Sequence, residues 1–136
     1  MQLQQEIGVP ITTLCPCSKA ISDYGAHNQR GLLSIRLFHD AVNGGSPLIC
    51  LEDVVELAER SGSAPLYPVL KREDERFVTM QAFDHPRFVE DVARSAATLL
   101  RDAPGFDRFS LRITNFESIH DHNAFARVYP TAPKDV

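Results

Sequence analysis

The chain has 136 residues, of which 43% are apolar and 24% are charged, and its net charge at pH 7 is −4. This length and composition are typical of a single soluble globular domain. The negative charge argues against a general nucleic-acid-binding protein, because such proteins neutralise phosphates with a basic surface. The sequence has neither an apolar stretch of the ~18 residues that span a bilayer nor a secretory signal pattern, so we expect a cytoplasmic protein with reduced cysteines.

Alternating apolar residues predict the first two strands, over residues 3–11 and 32–39. The segment 12–31 between them is rich in Thr, Cys, Pro, Ser, Asp and Gly, and we interpret it as a long loop of the kind that usually carries function. Apolar residues spaced by three and four then predict a helix over 50–61 that ends at Gly62.

The second half of the chain predicts one more helix and two more strands. Residues 63–83 read as irregular, and Asp84 is a plausible N-cap of a helix that ends near Arg101. Alternation returns around 109–113 and 125–129. The order strand, strand, helix, helix, strand, strand predicts an α+β fold, with two helices on one face of an antiparallel four-stranded sheet.

Cysteine and histidine occur together on the predicted loop. Cys15 and Cys17 flank a proline, and His27 follows on the same loop. Thiolate and imidazole are preferred zinc ligands, and two such groups on one loop can converge on one ion. Cysteine is also common in ordinary cores, so the residues alone leave metal binding and simple packing both open. The third cysteine, Cys50, stands at the start of a predicted helix, where we expect it to pack.

A second polar cluster follows the third predicted strand, over residues 115–123. Glu117 and His120 are three residues apart, so they would share one face of a helical turn. A carboxylate and an imidazole suit Zn²⁺, Mn²⁺ or Fe²⁺. The alternative is a solvated turn between two strands, because polar residues dominate turns.

Two weaker signals come from charged residues. In the charged run 71–76, Lys71 could contact a phosphate and Glu75 could supply a carboxylate, although charge runs are usually solvated. Glu90 lies beside the apolar stripe of the second predicted helix, where a carboxylate could accept two hydrogen bonds from a guanine edge. The alternative is an exposed helix glutamate.

The polar segments, taken together, resemble the signature of the type IB GTP cyclohydrolases. The resemblance runs from about residue 9 to residue 129. The resemblance rests on the segments TTLCPCSK at 12–19, ISDYGAHNQR at 21–30, LKR at 70–72 with Asp74 and Glu75, FVED at 88–91 and NFESIHDH at 115–122.

The resemblance implies the tunnelling fold, in which ββααββ modules assemble into a barrel across subunits. Members of the family use a divalent metal to convert GTP to 7,8-dihydroneopterin triphosphate and formate, on the route to folate. They usually carry two modules, so residues 1–136 would correspond to the C-terminal, catalytic module. Its expected partners are GTP and either further copies or a separate N-terminal module, and whether it is active alone stays open.

The resemblance also assigns roles to residues of the metal site. Cys15 would be a metal ligand and a catalytic residue, and Glu75, Glu117 and His120 match positions that coordinate or line the metal. His27 matches a catalytic residue close to it, either a ligand or a proton carrier. The role of Cys17, the second thiol of the loop, stays open between packing and metal ligation.

For the substrate, the resemblance assigns Glu90 to the purine edge. Lys19, Arg30, Lys71 and Arg72 are the basic candidates for the triphosphate.

Two other functions compete with this interpretation. One is a non-catalytic or incomplete module that keeps the fold and binds a purine, a pterin or a partner. The other is a different tunnelling-fold enzyme, such as a nitrile reductase with a cysteine nucleophile, which would need a nicotinamide and no metal.

Overall fold

The computed structural model describes residues 2–40, 49–106 and 108–130. Within these residues there are five strands, β1 (Gln2–Leu14), β2 (Asn28–Asp40), β3 (Ala64–Pro65), β4 (Phe109–Asn115) and β5 (Ala124–Val128). The helices of the same part of the chain are α1 (Pro16–Ile21), α2 (Leu51–Ser61), α3 (Arg72–Asp84) and α4 (Val89–Asp102). In the described ranges, none of the helices combines the length and apolarity that a bilayer crossing requires.

The strands form one antiparallel sheet in the order β3-β1-β2-β4-β5, and α2 and α4 pack against it and against each other. Alternate residues of the central strands face the helices. Each helix packs an apolar stripe, whose residues are three or four positions apart, against these side chains. The side chains with no exposed surface include Ile11, Leu33, Ile35, Val54, Val92, Ala96, Leu100 and Ile113. Burying a Leu or Ile side chain contributes ~1.5–3 kcal/mol, so this layer fixes the helices on the sheet.

The predicted α+β class, with an antiparallel sheet and two helices on one face, is confirmed. The prediction of four strands was wrong by one, because the short β3 pairs with β1 at the sheet edge. A two-residue strand is too short to show periodicity in a sequence.

The segment 12–31 is more regular than predicted. Its first three residues complete β1, its last four begin β2, and α1 lies between them. Cys15 caps this helix, since its Sγ atom accepts a hydrogen bond from Ser18 N at 3.5 Å, and Pro16 occupies the first helical turn, where proline is tolerated.

The prediction that residues 63–83 are irregular was also wrong, because they contain most of α3. Its acidic first turn suits the positive end of the helix dipole, and Asp74 accepts a hydrogen bond from Lys71 N at 3.0 Å. Periodicity did not show this helix because Ala82 is its one buried residue. Asp84, predicted to cap the next helix, instead ends α3, and α4 follows Phe88.

Gly31 allows β2 and β4 to approach each other closely at the end of the sheet. A Cβ atom at this position would lie 2.8 Å from Asn115 Oδ1 and 2.9 Å from Ile113 Cδ1. Both neighbours are buried, so they have little room to move. Gly8, on the neighbouring strand β1, has space instead, since its Cβ would meet Leu32 Cδ1 at an ordinary 3.5 Å.

We therefore expect Gly31→Ala to lower the free energy of unfolding by ~1–3 kcal/mol, the usual cost of overpacking. Gly8→Ala, a matched strand substitution, should change it by less than about 1 kcal/mol because its methyl group meets ordinary van der Waals contact. Urea denaturation of both variants measures the difference. Equal losses would show that close packing against Asn115 is not what requires glycine at position 31.

Candidate active site

A pocket of about 260 Å³ lies at one end of the sheet, where β1 and β4 finish and β2 and β5 begin. The start of α4 closes its side. The pocket brings together five residues that sequence analysis had singled out from distant segments, namely Cys15, His27, Glu90, Glu117 and His120.

Five further predicted residues do not line this pocket, namely Glu75, Lys71, Arg72, Lys19 and Arg30. Glu75 is exposed in the first turn of α3, and Lys71 is the exposed residue before that helix. The Nζ atom of Lys19 donates a hydrogen bond to Phe83 O and lies 4.3 Å from the centre of the Phe83 ring. Arg30 is exposed on β2. Their proposed roles therefore depend on surfaces outside the pocket.

The pocket also contains polar residues to which sequence analysis gave no individual role, and they are Gln29, Arg87, Asn115 and His122. Gln29 and Asn115 carried a usable signal. Both occupy inward-facing positions of their strands, where the alternation predicts an apolar residue, and both are buried. Arg87 and His122 lie outside regular elements, so periodicity gave no indication of where their side chains would go.

Cys15 is held in place by main-chain hydrogen bonds around the end of β1. Leu14 N donates to Ser63 Oγ at 3.0 Å, and Leu14 O accepts from Arg87 N at 2.9 Å. Cys15 N then donates to His27 O at 3.0 Å. The half-buried thiol is thus fixed beside the residue that carries the imidazole.

The imidazole of His27 is held by a chain of hydrogen bonds that leads into the core. Its Nδ1 atom lies 3.1 Å from Gln29 Oε1 and 3.3 Å from Ser118 Oγ. Gln29 Nε2 donates to two atoms of Thr13, the main-chain oxygen at 3.2 Å and Oγ1 at 2.7 Å. Thr13 has no exposed surface, and Gln29 is 8% exposed.

The other side of the pocket is more open. Glu117 is half-buried, while His120 and His122 are exposed on the segment between β4 and β5. The two histidine rings are stacked, with 5.3 Å between their centres and an angle of 16° between their planes. Glu90 is exposed in the first turn of α4, so its carboxylate is accessible to a ligand.

Cys50 is separate from this site. We expected it to pack at the start of α2, but it is exposed, and its thiol donates a hydrogen bond to Glu52 Oε2 at 2.7 Å. This hydrogen bond lowers the pKa of the Glu52 carboxyl group. Neither residue lines the pocket.

The donor types in the pocket suit a divalent metal, since they include a thiol, imidazoles and a carboxylate. A metal site also requires these side chains to lie close together around one point. Across residues 2–40, 49–106 and 108–130, no group of three or more His, Cys, Asp or Glu side chains is placed to hold an ion. The donors therefore fit a metal in kind, while a single chain does not gather three of them around one point within these ranges.

Sequence comparisons identify the family to which this fold and pocket belong. The family model of the type I GTP cyclohydrolase FolE2 matches residues 1–126, and the chain belongs to that family. It is 51% identical to the GTP cyclohydrolase FolE2 of Dictyoglomus turgidum over 122 residues, which cover 90% of this chain and 45% of that protein. It is 50% identical to the one from Nitratidesulfovibrio vulgaris over 126 residues, 93% of this chain and 46% of that protein. The chain thus spans less than half the length of these relatives.

Proposed function

We propose that this chain is the C-terminal, catalytic module of a metal-dependent GTP cyclohydrolase of type IB. The reaction would convert GTP to 7,8-dihydroneopterin triphosphate and formate in folate biosynthesis. The observation that carries the proposal is the convergence of Cys15, His27, Glu90, Glu117 and His120 on one pocket. The identity of about half of all aligned residues with proteins named GTP cyclohydrolase FolE2 supports it.

Cys15, Glu117 and His120 are the residues that we propose as ligands of a divalent ion, either Zn²⁺, Mn²⁺ or Fe²⁺. Such an ion, when bound, would lower the pKa of water towards ~7 and so supply hydroxide at neutral pH. Glu75 lies outside the pocket of its own chain, so we assign it to a site that a second chain helps to form.

Opening the imidazole ring of guanine also requires a proton at a ring nitrogen of the substrate. His27 and Glu117 both line the pocket, and either could deliver that proton. The half-buried position of both residues limits their contact with water. The hydrogen bonds to Gln29 and Ser118 fix the His27 ring, which favours it as the proton carrier: its free ring nitrogen would take a proton from the attacking water and then pass it to the ring nitrogen of the substrate.

The substrate would be held at its two ends by residues on either side of the start of α4. Guanine presents two donors along one edge, and the Glu90 carboxylate can accept both in a bidentate contact. Arg87 is the cationic side chain among the lining residues, and a guanidinium group matches a phosphate in shape and charge. We therefore place the purine at Glu90 and a phosphate at Arg87.

Exposed apolar residues support a partner chain, as in a homo-oligomer or a complex with a separate N-terminal module. Ile21 and Tyr24 are 85% and 101% exposed, and Phe77, Met80 and Phe83 of α3 are also exposed. Tyr24, Met80 and Phe83 line one cleft, and apolar surface concentrated in one region is a feature of protein–protein contacts.

A second candidate function is an incomplete module that binds a purine or a pterin without turnover. The observation in its favour is the lack of a three-ligand metal group in the described part of the chain. GTP turnover with added Zn²⁺, Mn²⁺ or Fe²⁺, followed by pterin fluorescence, separates the two. Metal-dependent turnover supports the cyclohydrolase, whereas binding without turnover supports the incomplete module.

We expect Cys15→Ser to abolish metal binding and to leave the fold intact. Serine preserves the cap of α1, because its hydroxyl can accept the hydrogen bond that the thiol accepts from Ser18 N. It removes the thiolate, which is the better ligand for zinc. Elemental analysis after equilibration with Zn²⁺ measures the result, and Cys17→Ser, at an exposed position outside the pocket, is the matched control. Equal metal content in Cys15→Ser and the parent would refute the assignment.

We expect Glu90→Gln to weaken GTP binding by about tenfold or more and to leave metal content unchanged. The amide presents one acceptor where the carboxylate presents two, and an unsatisfied donor costs ~1–3 kcal/mol when buried against the ligand. Each ~1.4 kcal/mol corresponds to a tenfold change in affinity. Calorimetric titration with GTP measures it.

Glu56→Gln is the matched control, because Glu56 is also an exposed helix glutamate and lies on α2, away from the pocket. Its affinity for GTP should equal that of the parent. If Glu90→Gln also binds GTP as the parent does, the purine is held elsewhere.

A further inference from the structure

Gln29 is a buried amide that joins the pocket to the core, and it makes contacts at both ends of its side chain. We infer that Gln29 holds His27 in the tautomer with the proton on Nδ1, so that the Nε2 lone pair is the one available to the pocket. The importance of this tautomer for turnover rests on the proposed function, whereas the tautomer itself follows from the hydrogen bonds.

The contacts with Thr13 settle which way the Gln29 amide points. One end of the amide lies 3.2 Å from Thr13 O and 2.7 Å from Thr13 Oγ1. A main-chain carbonyl oxygen can only accept, so the group facing it must be the NH₂ end of the amide. The reverse orientation would set two acceptor oxygens against each other at a place where Thr13 is fully buried.

The orientation of the amide in turn settles the protonation of the imidazole. With its NH₂ group turned to Thr13, Gln29 presents Oε1 to His27 Nδ1 at 3.1 Å. An amide oxygen only accepts hydrogen bonds, so Nδ1 must carry the proton. A neutral imidazole carries one N–H, so Nε2 is left with a free lone pair.

Ser118 is consistent with this assignment. Its Oγ atom lies 3.3 Å from the same Nδ1 atom. A hydroxyl group can accept as well as donate, so it can share the Nδ1 proton with Gln29 or turn its own proton to solvent. Its exposed position makes it the weaker of the two constraints, whereas the buried amide cannot exchange its partners for water.

The main chain fixes the same residue from the other side. His27 N donates to Ser18 Oγ at 3.2 Å, and His27 O accepts from Cys15 N at 3.0 Å. Hydrogen bonds therefore hold both the backbone of His27 and its Nδ1 atom before any ligand binds. A hydrogen bond to one ring nitrogen decides which of the two atoms serves as base or ligand, and here it selects Nε2. Gln29 is thus a positioning residue that acts through His27.

Nuclear magnetic resonance of the full chain labelled with ¹⁵N-histidine tests the inference without substrate and without metal. Long-range ¹H–¹⁵N correlations distinguish a protonated from a bare ring nitrogen, and the signals that disappear in His27→Ala belong to His27. At about pH 8, we expect Nδ1 of His27 to be protonated and Nε2 to be bare. A proton on Nε2 with a bare Nδ1 would overturn the inference.

Two substitutions show whether Gln29 is the cause. Gln29→Met keeps the length of the side chain and removes the acceptor, so the His27 signals should move to a mixture of both tautomers. Gln4→Met, at an exposed position of β1, is the control and should change nothing.

An unchanged tautomer in a folded Gln29→Met variant would show that another contact, such as Ser118, sets it. The backbone amide spectrum establishes that each variant is folded, and the parent spectrum tests the tautomer even where a variant is not. None of these measurements depends on GTP, so the tautomer can be tested even if the chain does not turn over GTP. If the tautomer is not the expected one, the proposed reaction is still tested separately by GTP turnover.

Discussion

The long antiparallel pairing of β1 with β2 is the constraint on which the site depends. Its register runs without interruption from Gln2↔Asp40 to Leu14↔Asn28, so the segment between the strands must leave and return at one point. The hydrogen bond from Cys15 N to His27 O extends the ladder by one more pair. A shift of register by one residue would turn every side chain of one strand to the opposite face and separate the thiol from the imidazole.

The floor of the pocket is made by polar residues at the end of an otherwise apolar core. Ile11 and Leu33 fill the inner face of the sheet, and the next inward-facing position beyond Ile11 holds Thr13, which pairs with Gln29. Buried polar groups are costly unless they are hydrogen-bonded, and these two satisfy each other. The same bonds leave one amide oxygen for His27, so the core itself determines how the imidazole faces the pocket.

The sequence predicted most of this fold because its long elements have clear periodicity. The central strands alternate, and α2 and α4 bury stripes at helical spacing. Periodicity reports burial, so it did not reveal α3, which buries only Ala82, or the two-residue β3. The α1 helix was missed for a related reason, since none of its residues is buried.

The candidate site was predicted residue by residue but not as an arrangement. Cys15, His27 and Glu117 could be named because thiols, imidazoles and carboxylates stand close together in the sequence and match a family signature. Their convergence on one pocket with Glu90 depends on strand order and register, which no local pattern contains. Glu75 shows that a family signature does not predict position in space, because a residue can match the signature and still lie outside the pocket of its own chain.

In the proposed function, one pocket would hold both the metal and the guanine ring, with the metal beside Cys15 and the purine edge at Glu90. A crystal structure of the chain soaked with Zn²⁺ and GTP tests it most directly. We predict the ion within bonding distance of Cys15 Sγ and the guanine N1 and N2 atoms hydrogen-bonded to the Glu90 carboxylate. A nucleotide bound instead at another surface, such as the cleft that Tyr24, Met80 and Phe83 line, or an ion without Cys15 among its ligands, would contradict this proposal.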